Sequence, residues 1–135
     1  EPRSGLWYLV LDKGNEKGNY FESSAACMFV YALAKGARNR YLPDRYRKVA
    51  EKGYRGILKE FVKTDASGRL NLAGTVSVAG LGGSPYRDGS YEYYLSEKVV
   101  TNDPKGIGAL ILAATEMETL AKWRKKSKLS TKTNE

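Results

Sequence analysis

Four carboxylates in the chain, Glu22, Asp88, Glu92 and Asp103, stand close to residues that suit a carbohydrate pocket. Glycosidic chemistry usually needs a carboxylate pair, one giving a proton and one activating water or attacking carbon. Spacing selects no pair among these four. Glu22 precedes a helix, where a negative charge suits the dipole, and Asp103 precedes Pro104, a place for helix capping. Around the other two the chain reads GTVSVAGLGGSPYRDGSYEYYL (74–95), in which Tyr86, Tyr91, Tyr93 and Tyr94 crowd around Arg87. A tyrosine ring takes sugar C–H groups on its face and sugar hydroxyls at its rim, so the cluster reads as a pocket wall or as packing beneath a loop.

Other chemistries are excluded by what the sequence contains. It has no histidine, which removes Ser-His and Cys-His mechanisms and the commonest metal ligand. Its one cysteine, Cys27, lies in an apolar run and reads as a buried thiol rather than a nucleophile. The glycines at 80, 82 and 83 follow a β-branched run, as a dinucleotide loop would. Pro85 and the turn-forming Tyr86-Arg87-Asp88-Gly89 deny that loop its helix, and no G-K-[ST] follows. These glycines read instead as sites of close backbone approach beneath a pocket.

The net charge of +8 invites nucleic acid. Residues 122–135 hold +5 of it, leaving +3 for the body. That tail, rich in Ser and Thr, reads as a solvated terminus, so neither nucleic acid nor a membrane is the expected partner. No apolar run reaches membrane-spanning length.

Three amphipathic helices must position the loops. Ser23 or Ser24 caps the first, running to about Arg38, with Ala26, Phe29, Val30 and Leu33 on one face. Pro43 opens the second, with Tyr46, Val49, Ala50, Tyr54, Ile57, Leu58, Phe61 and Val62 in helical period. Arg69 to Val78 alternates enough for one or two short strands, and 85–96 is irregular or a single helical turn. Asn102 or Asp103 caps the third helix, which runs to about Trp123 with Ile107, Leu110, Ile111, Ala114, Met117 and Leu120 as its stripe, and Ala109, Ala113 and Ala114 with Gly106 and Gly108 let it pack closely. Connections this long do not suit a simple bundle, and the chain reads as part of a helical toroid with its loops at one end.

The stretches Trp7-Tyr8, Glu22-Ser23-Ser24, Met28 to Gly36, and GLGGSPYRDGSYEYYLSEKVVTNDPKGIGA carry a specific likeness. From about Gly5 to Trp123 the chain resembles the C-terminal part of the unsaturated rhamnogalacturonyl hydrolases, glycoside hydrolase family 105, related to the unsaturated glucuronyl hydrolases of family 88. The resemblance implies an all-α fold, the C-terminal portion of a six-hairpin (α/α) toroid with a short β-like excursion between helices. It implies release of a 4,5-unsaturated uronic acid from pectin-type oligosaccharides by hydration of the double bond, with no metal or organic cofactor. The family's catalytic aspartates match no residue here, so no catalytic residue is assigned and the chain alone is expected to be inactive. The expected contribution is pocket wall: Arg87, Tyr91, Tyr94, Asn102, Asp103 and Lys105. Residues 1–123 would be hydrolase domain and 124–135 a basic flexible tail, in a bacterial cytoplasm or periplasm. Helix faces around Phe29 and Leu33, or Ile107 and Leu110, should seek cover from a second copy or from an N-terminal part. The alternatives are a non-catalytic carbohydrate-binding or structural helical module, or a nucleic-acid binder using the tail.

Overall fold

In the computed structural model of the chain the described residues are 1–132, with side chains described through Trp123. The order is α1 (Ser23–Arg38), α2 (Arg45–Glu60), β1 (Val62–Thr64), β2 (Leu70–Leu72), β3 (Thr75–Val76), α3 (Tyr91–Ser96), β4 (Val99–Val100) and α4 (Pro104–Lys132). The last helix passes the expected end at Trp123. The side chains of the expected basic tail, residues 124–135, lie outside the described residues.

The first helix starts where expected but is capped differently. The extended Glu22, not a serine, is its cap, and its carboxylate accepts from the Ala25 N–H at 2.6 Å. Ser23 and Ser24 are then buried inside the first turn. The helix ends on a tight reversal, where Arg40 is left-handed and the Tyr41 and Leu42 N–H groups both reach the Gly36 carbonyl. That reversal lays α2 against α1, where Val30 and the Trp7 ring press on Gly53. A side chain there would lie 2.9 Å from Val30 Cγ2, so glycine is what allows the close packing.

Helix α4 packs on the other side of α1. Its buried stripe is Gly106, Ala109, Ala113, Glu116 and Leu120, at alternating spacings of three and four. Of the expected stripe Leu120 is buried and Ile107, Leu110 and Met117 pack on the core, whereas Ile111 is more than half exposed, and the expected small residues make the closest contact. The small residues win because Ala26, Ala34 and Ala37 on α1 bring the two backbones close, which excludes bulk between them. Glu116, buried on this stripe, is met by Arg38 at 2.5 Å through Nε, with a second contact of 3.2 Å through Nη2. The main core joins Leu6, Val30, Ile57, Phe61 and Leu72 to the alanines of α1 and α4. Cys27 sits within it, fully buried, and burial first, then Glu22, pushes its thiol up to about 12. On α2 the expected face is confirmed at Ala50, Ile57 and Phe61, whereas Val49 and Leu58 are exposed.

The expected β-like excursion is richer than the local pattern suggested. Four short strands form two antiparallel ribbons, β1 with β2 and β3 with β4. Val62 closes the helical period of α2 in sequence, but the chain leaves the helix at Phe61 and Val62 pairs with Leu72. The turn between β1 and β2 is built on Asp65, whose carboxylate accepts from the N–H groups of Ser67 and Arg69. Those bonds, led by the Ser67 hydroxyl, hold its carboxyl at about 2. The pairing of Thr75 with Val100 spans the whole excursion, a distance at which local periodicity carries no signal.

Candidate functional site

Three ends meet at one pole of the molecule. Ser23 at the start of α1 shares a 2.7 Å hydrogen bond with Thr75 of β3, and Thr75 in turn lies against Gly106 in the first turn of α4. Gly74 faces the Phe61 ring at the end of α2. Arg38 and Glu116 join the other halves of α1 and α4, so these two helices run parallel and α2 runs against them. Every loop longer than the α1–α2 reversal, and all four strands, therefore gathers at the N-terminal pole of α1 and α4.

Glu22 holds that pole together. Its carboxylate, 2% exposed, accepts from the Ala25 N–H, from the Val76 N–H at 3.1 Å and from the Ser24 hydroxyl at 2.9 Å. It thereby staples β3 to the helix start, where the dipole favours its charge. With those donors in place Glu22 is a scaffold group rather than one partner of an acid/base pair.

The segment from Ser77 to Asp103 folds back over this pole. The Ser77 N–H meets the Lys98 carbonyl at 2.8 Å. Gly82 and Arg87 exchange two backbone hydrogen bonds of 2.8 and 3.1 Å, closing a hairpin whose Ser84–Pro85 peptide is cis. Gly82 and Gly83 are left-handed there, at φ of 70° and 84°. For Gly82 this corrects the expectation of close approach, since a side chain would meet nothing and only the backbone angle demands glycine. Nor does Gly83 meet it, because its nearest neighbour is the flexible tip of Arg87, Nη1 at 3.2 Å from where a Cβ would stand, and Gly80 has only the same atom at 4.0 Å. Ser90 caps α3 through Tyr93 N–H at 3.1 Å, and Asp88 accepts from the Ser90 N–H at 2.9 Å, which lowers its pKa.

The six expected wall residues are found in separate contacts along this segment. Arg87 Nε lies 3.9 Å from Glu97, and Tyr91 donates its hydroxyl to the Lys17 carbonyl at 3.3 Å. The Tyr94 ring leans on Tyr93, with centroids 5.1 Å apart. Asp103 caps α4 through the Lys105 N–H at 3.0 Å and pairs with Lys105 Nζ at 3.1 Å. The Lys105 ammonium and N–H together lower the Asp103 pKa, and the same ammonium donates to the Ser77 carbonyl at 3.0 Å. Asn102 is different: it is left-handed at φ 58°, accepts from the Leu72 N–H at 2.9 Å and donates to Asn71 at 2.7 Å. Its side chain clamps β2 to the start of α4.

Sequence reasoning missed a second group at this pole. A cleft of about 500 Å³ is lined by Tyr8, Tyr20, Phe21, Phe61, Gly74 and Val99, and none of the six expected residues reaches it. Tyr8 and Phe21 form an antiparallel bridge with their rings 4.5 Å apart. The aromatic pairs Trp7-Tyr8 and Tyr20-Phe21 flank the turn-rich GNEKGN stretch, which is the signal that would have found this bridge. The buried hydroxyls of Tyr20 and Tyr93 have no hydrogen-bond partner of good geometry. Burial raises both phenols, and Glu97 adds to each; Glu22 adds to Tyr20.

Chemically the pole offers aromatic faces, phenol hydroxyls, Arg87 and Lys105. Among the described residues Glu22, Asp88, Glu97 and Asp103 are engaged by neighbours, Glu92 and Glu60 are exposed, and no cluster could hold a metal ion.

Parallel helices backed by an antiparallel one, with the long loops at one pole, match a portion of an α/α toroid. The chain belongs to glycosyl hydrolase family 88, whose model matches residues 1–121. It is 43% identical over 128 residues to Protein Atu3128 of Agrobacterium fabrum and to the 24.9 kDa protein in the picA locus of Rhizobium radiobacter. Each match covers 90% of this chain and 55% of the relative, so the chain spans about half the length of those relatives. A family 105 glycoside hydrolase from C. acetobutylicum superposes with a TM-score of 0.85 at 48% identity, over 88% of this chain and 33% of that one. A possible family 105 member from Klebsiella pneumoniae gives 0.67 at 31% identity, over 89% and 27%.

Proposed function

We propose that this chain is the C-terminal portion of a hydrolase that removes 4,5-unsaturated uronic acid from pectin-type oligosaccharides by hydrating the double bond. Membership of family 88 and the likeness to a family 105 hydrolase support glycoside hydrolysis. The observation that supports the finer reading is the segment over the loop pole, which carries Arg87 with Tyr91, Tyr93 and Tyr94 and leads to Lys105 at the start of α4, each cation beside one carboxylate, Glu97 and Asp103. In this reading Arg87 and Lys105 meet the uronate carboxylate, and Tyr91 and Tyr94 line the ring. Asp103 orients Lys105, and Asn102 fixes the loop. The acid that protonates the double bond comes from the rest of the toroid, so the chain alone binds without turnover. A non-catalytic carbohydrate-binding role differs in one respect: it would not require the double bond.

Titration of the labelled chain with unsaturated galacturonyl-rhamnose, followed by amide chemical shifts, separates these readings. Shifts are expected at 82–94 and 102–105, and they should be weaker with the saturated disaccharide. Equal responses to both sugars would favour the binding module, and shifts away from this pole would reject the wall assignment.

The partner surfaces follow from exposure. Phe29, Leu33, Ile107 and Leu110 are half-buried, so the faces that need cover are those of Met28, Ile111 and Leu112, each at least half exposed. Met28 and Leu112 line an apolar groove of about 290 Å³ between α1 and α4. In the proposed enzyme the remaining hairpins cover it; in isolation the chain should self-associate through it. Sedimentation equilibrium reads this directly, and a monomer at every concentration would contradict it.

A further inference from the structure

Away from the loop pole, α2 carries a row of cations. Arg45, Lys48, Lys52, Arg55 and Lys59 recur at spacings of three and four, and all are exposed. On a helix that spacing draws them into one stripe, ~21 Å long with a charge every ~5 Å. Arg47, off the stripe, pairs with Asp44. Among the described residues Lys48, Arg55 and Lys59 form no ion pair, Arg45 lies over the Tyr46 ring, and Lys52 donates to the Pro2 carbonyl. The row therefore lies in water on this face of α2, away from the apolar groove of Met28 and Leu112.

Two hollows flank Lys52 along the stripe. One, of about 280 Å³, is lined by Arg3, Lys52, Arg55 and Lys59, with Glu60 the one carboxylate on its wall. The other, of about 450 Å³, has Trp7, Val49 and Pro2 as its apolar lining, with Lys48, Lys52 and Glu1 around it. Trp7 is fixed there, its ring edge against Gly53 and its face tilted on Phe29 at 5.2 Å. Cations suit any polyanion. A fixed indole beside them suits a pyranose ring that offers a face of C–H groups as well as negative charge.

We infer that the outer face of α2 is a second binding surface, for an acidic polysaccharide bearing a carboxylate on each sugar. The choice of polysaccharide rests on the proposed function, whereas the surface itself rests on the stripe and its hollows. The surface would hold the parent polymer near the enzyme without taking part in the reaction.

The test uses the full chain and polygalacturonate, a polymer without the reactive double bond, so it is independent of whether the loop pole handles unsaturated sugars. Tryptophan fluorescence should change on binding. Lys48→Gln/Arg55→Gln/Lys59→Gln, on the exposed face, should weaken binding about tenfold or more. Lys125→Gln/Lys126→Gln/Lys128→Gln, with the same net charge, should leave it within about twofold, and fully methyl-esterified pectin should not bind. Absence of binding, or equal loss in the two variants, overturns the inference. Duplex DNA or anionic vesicles binding as tightly as polygalacturonate overturns it as well, since the stripe would then be a general polyanion surface.

Discussion

Replacing Glu22 by alanine should lower the stability of the chain by about 3–5 kcal/mol, more than any substitution on its exposed surface. The carboxylate satisfies the Ala25 and Val76 N–H groups and the Ser24 hydroxyl in a site that is 2% exposed. Alanine leaves these donors buried and unpaired, each costing about 1–3 kcal/mol, and removes the α1 cap as well. Glu22→Gln keeps one acceptor oxygen but turns an amide nitrogen towards a donor, so its loss should be smaller, about 1–3 kcal/mol. Urea unfolding monitored by circular dichroism reads both. A loss below about 1 kcal/mol for alanine would mean that β3 and α1 are held by something other than this carboxylate. The same variant should loosen the excursion, since Val76 leads into the Ser77–Lys98 pairing.

The second large effect lies at the opposite pole. Arg38→Ala strands Glu116, which is 7% exposed, without the guanidinium that grips it at 2.5 and 3.2 Å. Breaking such a pair from one side costs about 3–5 kcal/mol where burial is complete. Because the Arg38 side chain is 25% exposed, about 2–4 kcal/mol is expected here. The double variant Arg38→Met/Glu116→Leu should recover most of that loss, because an apolar pair strands no charge. Thermal unfolding of both variants decides it. A double variant no better than Arg38→Ala would show that the pair contributes more than the avoidance of a buried charge.

These two residues also mark what local sequence can and cannot reveal. The helices were legible because their apolar periods and their Pro43 and Pro104 starts are local; α1 matches expectation, while α2 ends at Glu60, short of the turn at Asp65, and β1 takes up the rest. Glu22 was visible as a carboxylate beside a helix start. Its burial depends on Val76, 54 residues away, which no local pattern announces. On α4 the small residues Gly106, Ala109 and Ala113 were legible as a close-packing face, whereas the stripe was drawn too wide at Ile111 because large apolar side chains dominate a periodicity. Likewise β4 is two residues long and becomes a strand only when Thr75 pairs with Val100. At the loop pole the tyrosines and Arg87 were found from their clustering, and the aromatic cleft of Tyr8, Tyr20 and Phe21 was not, because its halves are separated by a turn.

The central claim is that this chain supplies a wall of an unsaturated uronyl site and leaves the proton transfer to the rest of a toroid. Its most direct test follows the near-ultraviolet absorbance of unsaturated galacturonyl-rhamnose with two proteins. One is the chain alone; the other is the C. acetobutylicum family 105 hydrolase with this chain grafted over its matching third. The account predicts no loss of absorbance with the chain and steady loss with the graft. Turnover by the chain alone, or a folded graft that leaves the double bond intact, would contradict it.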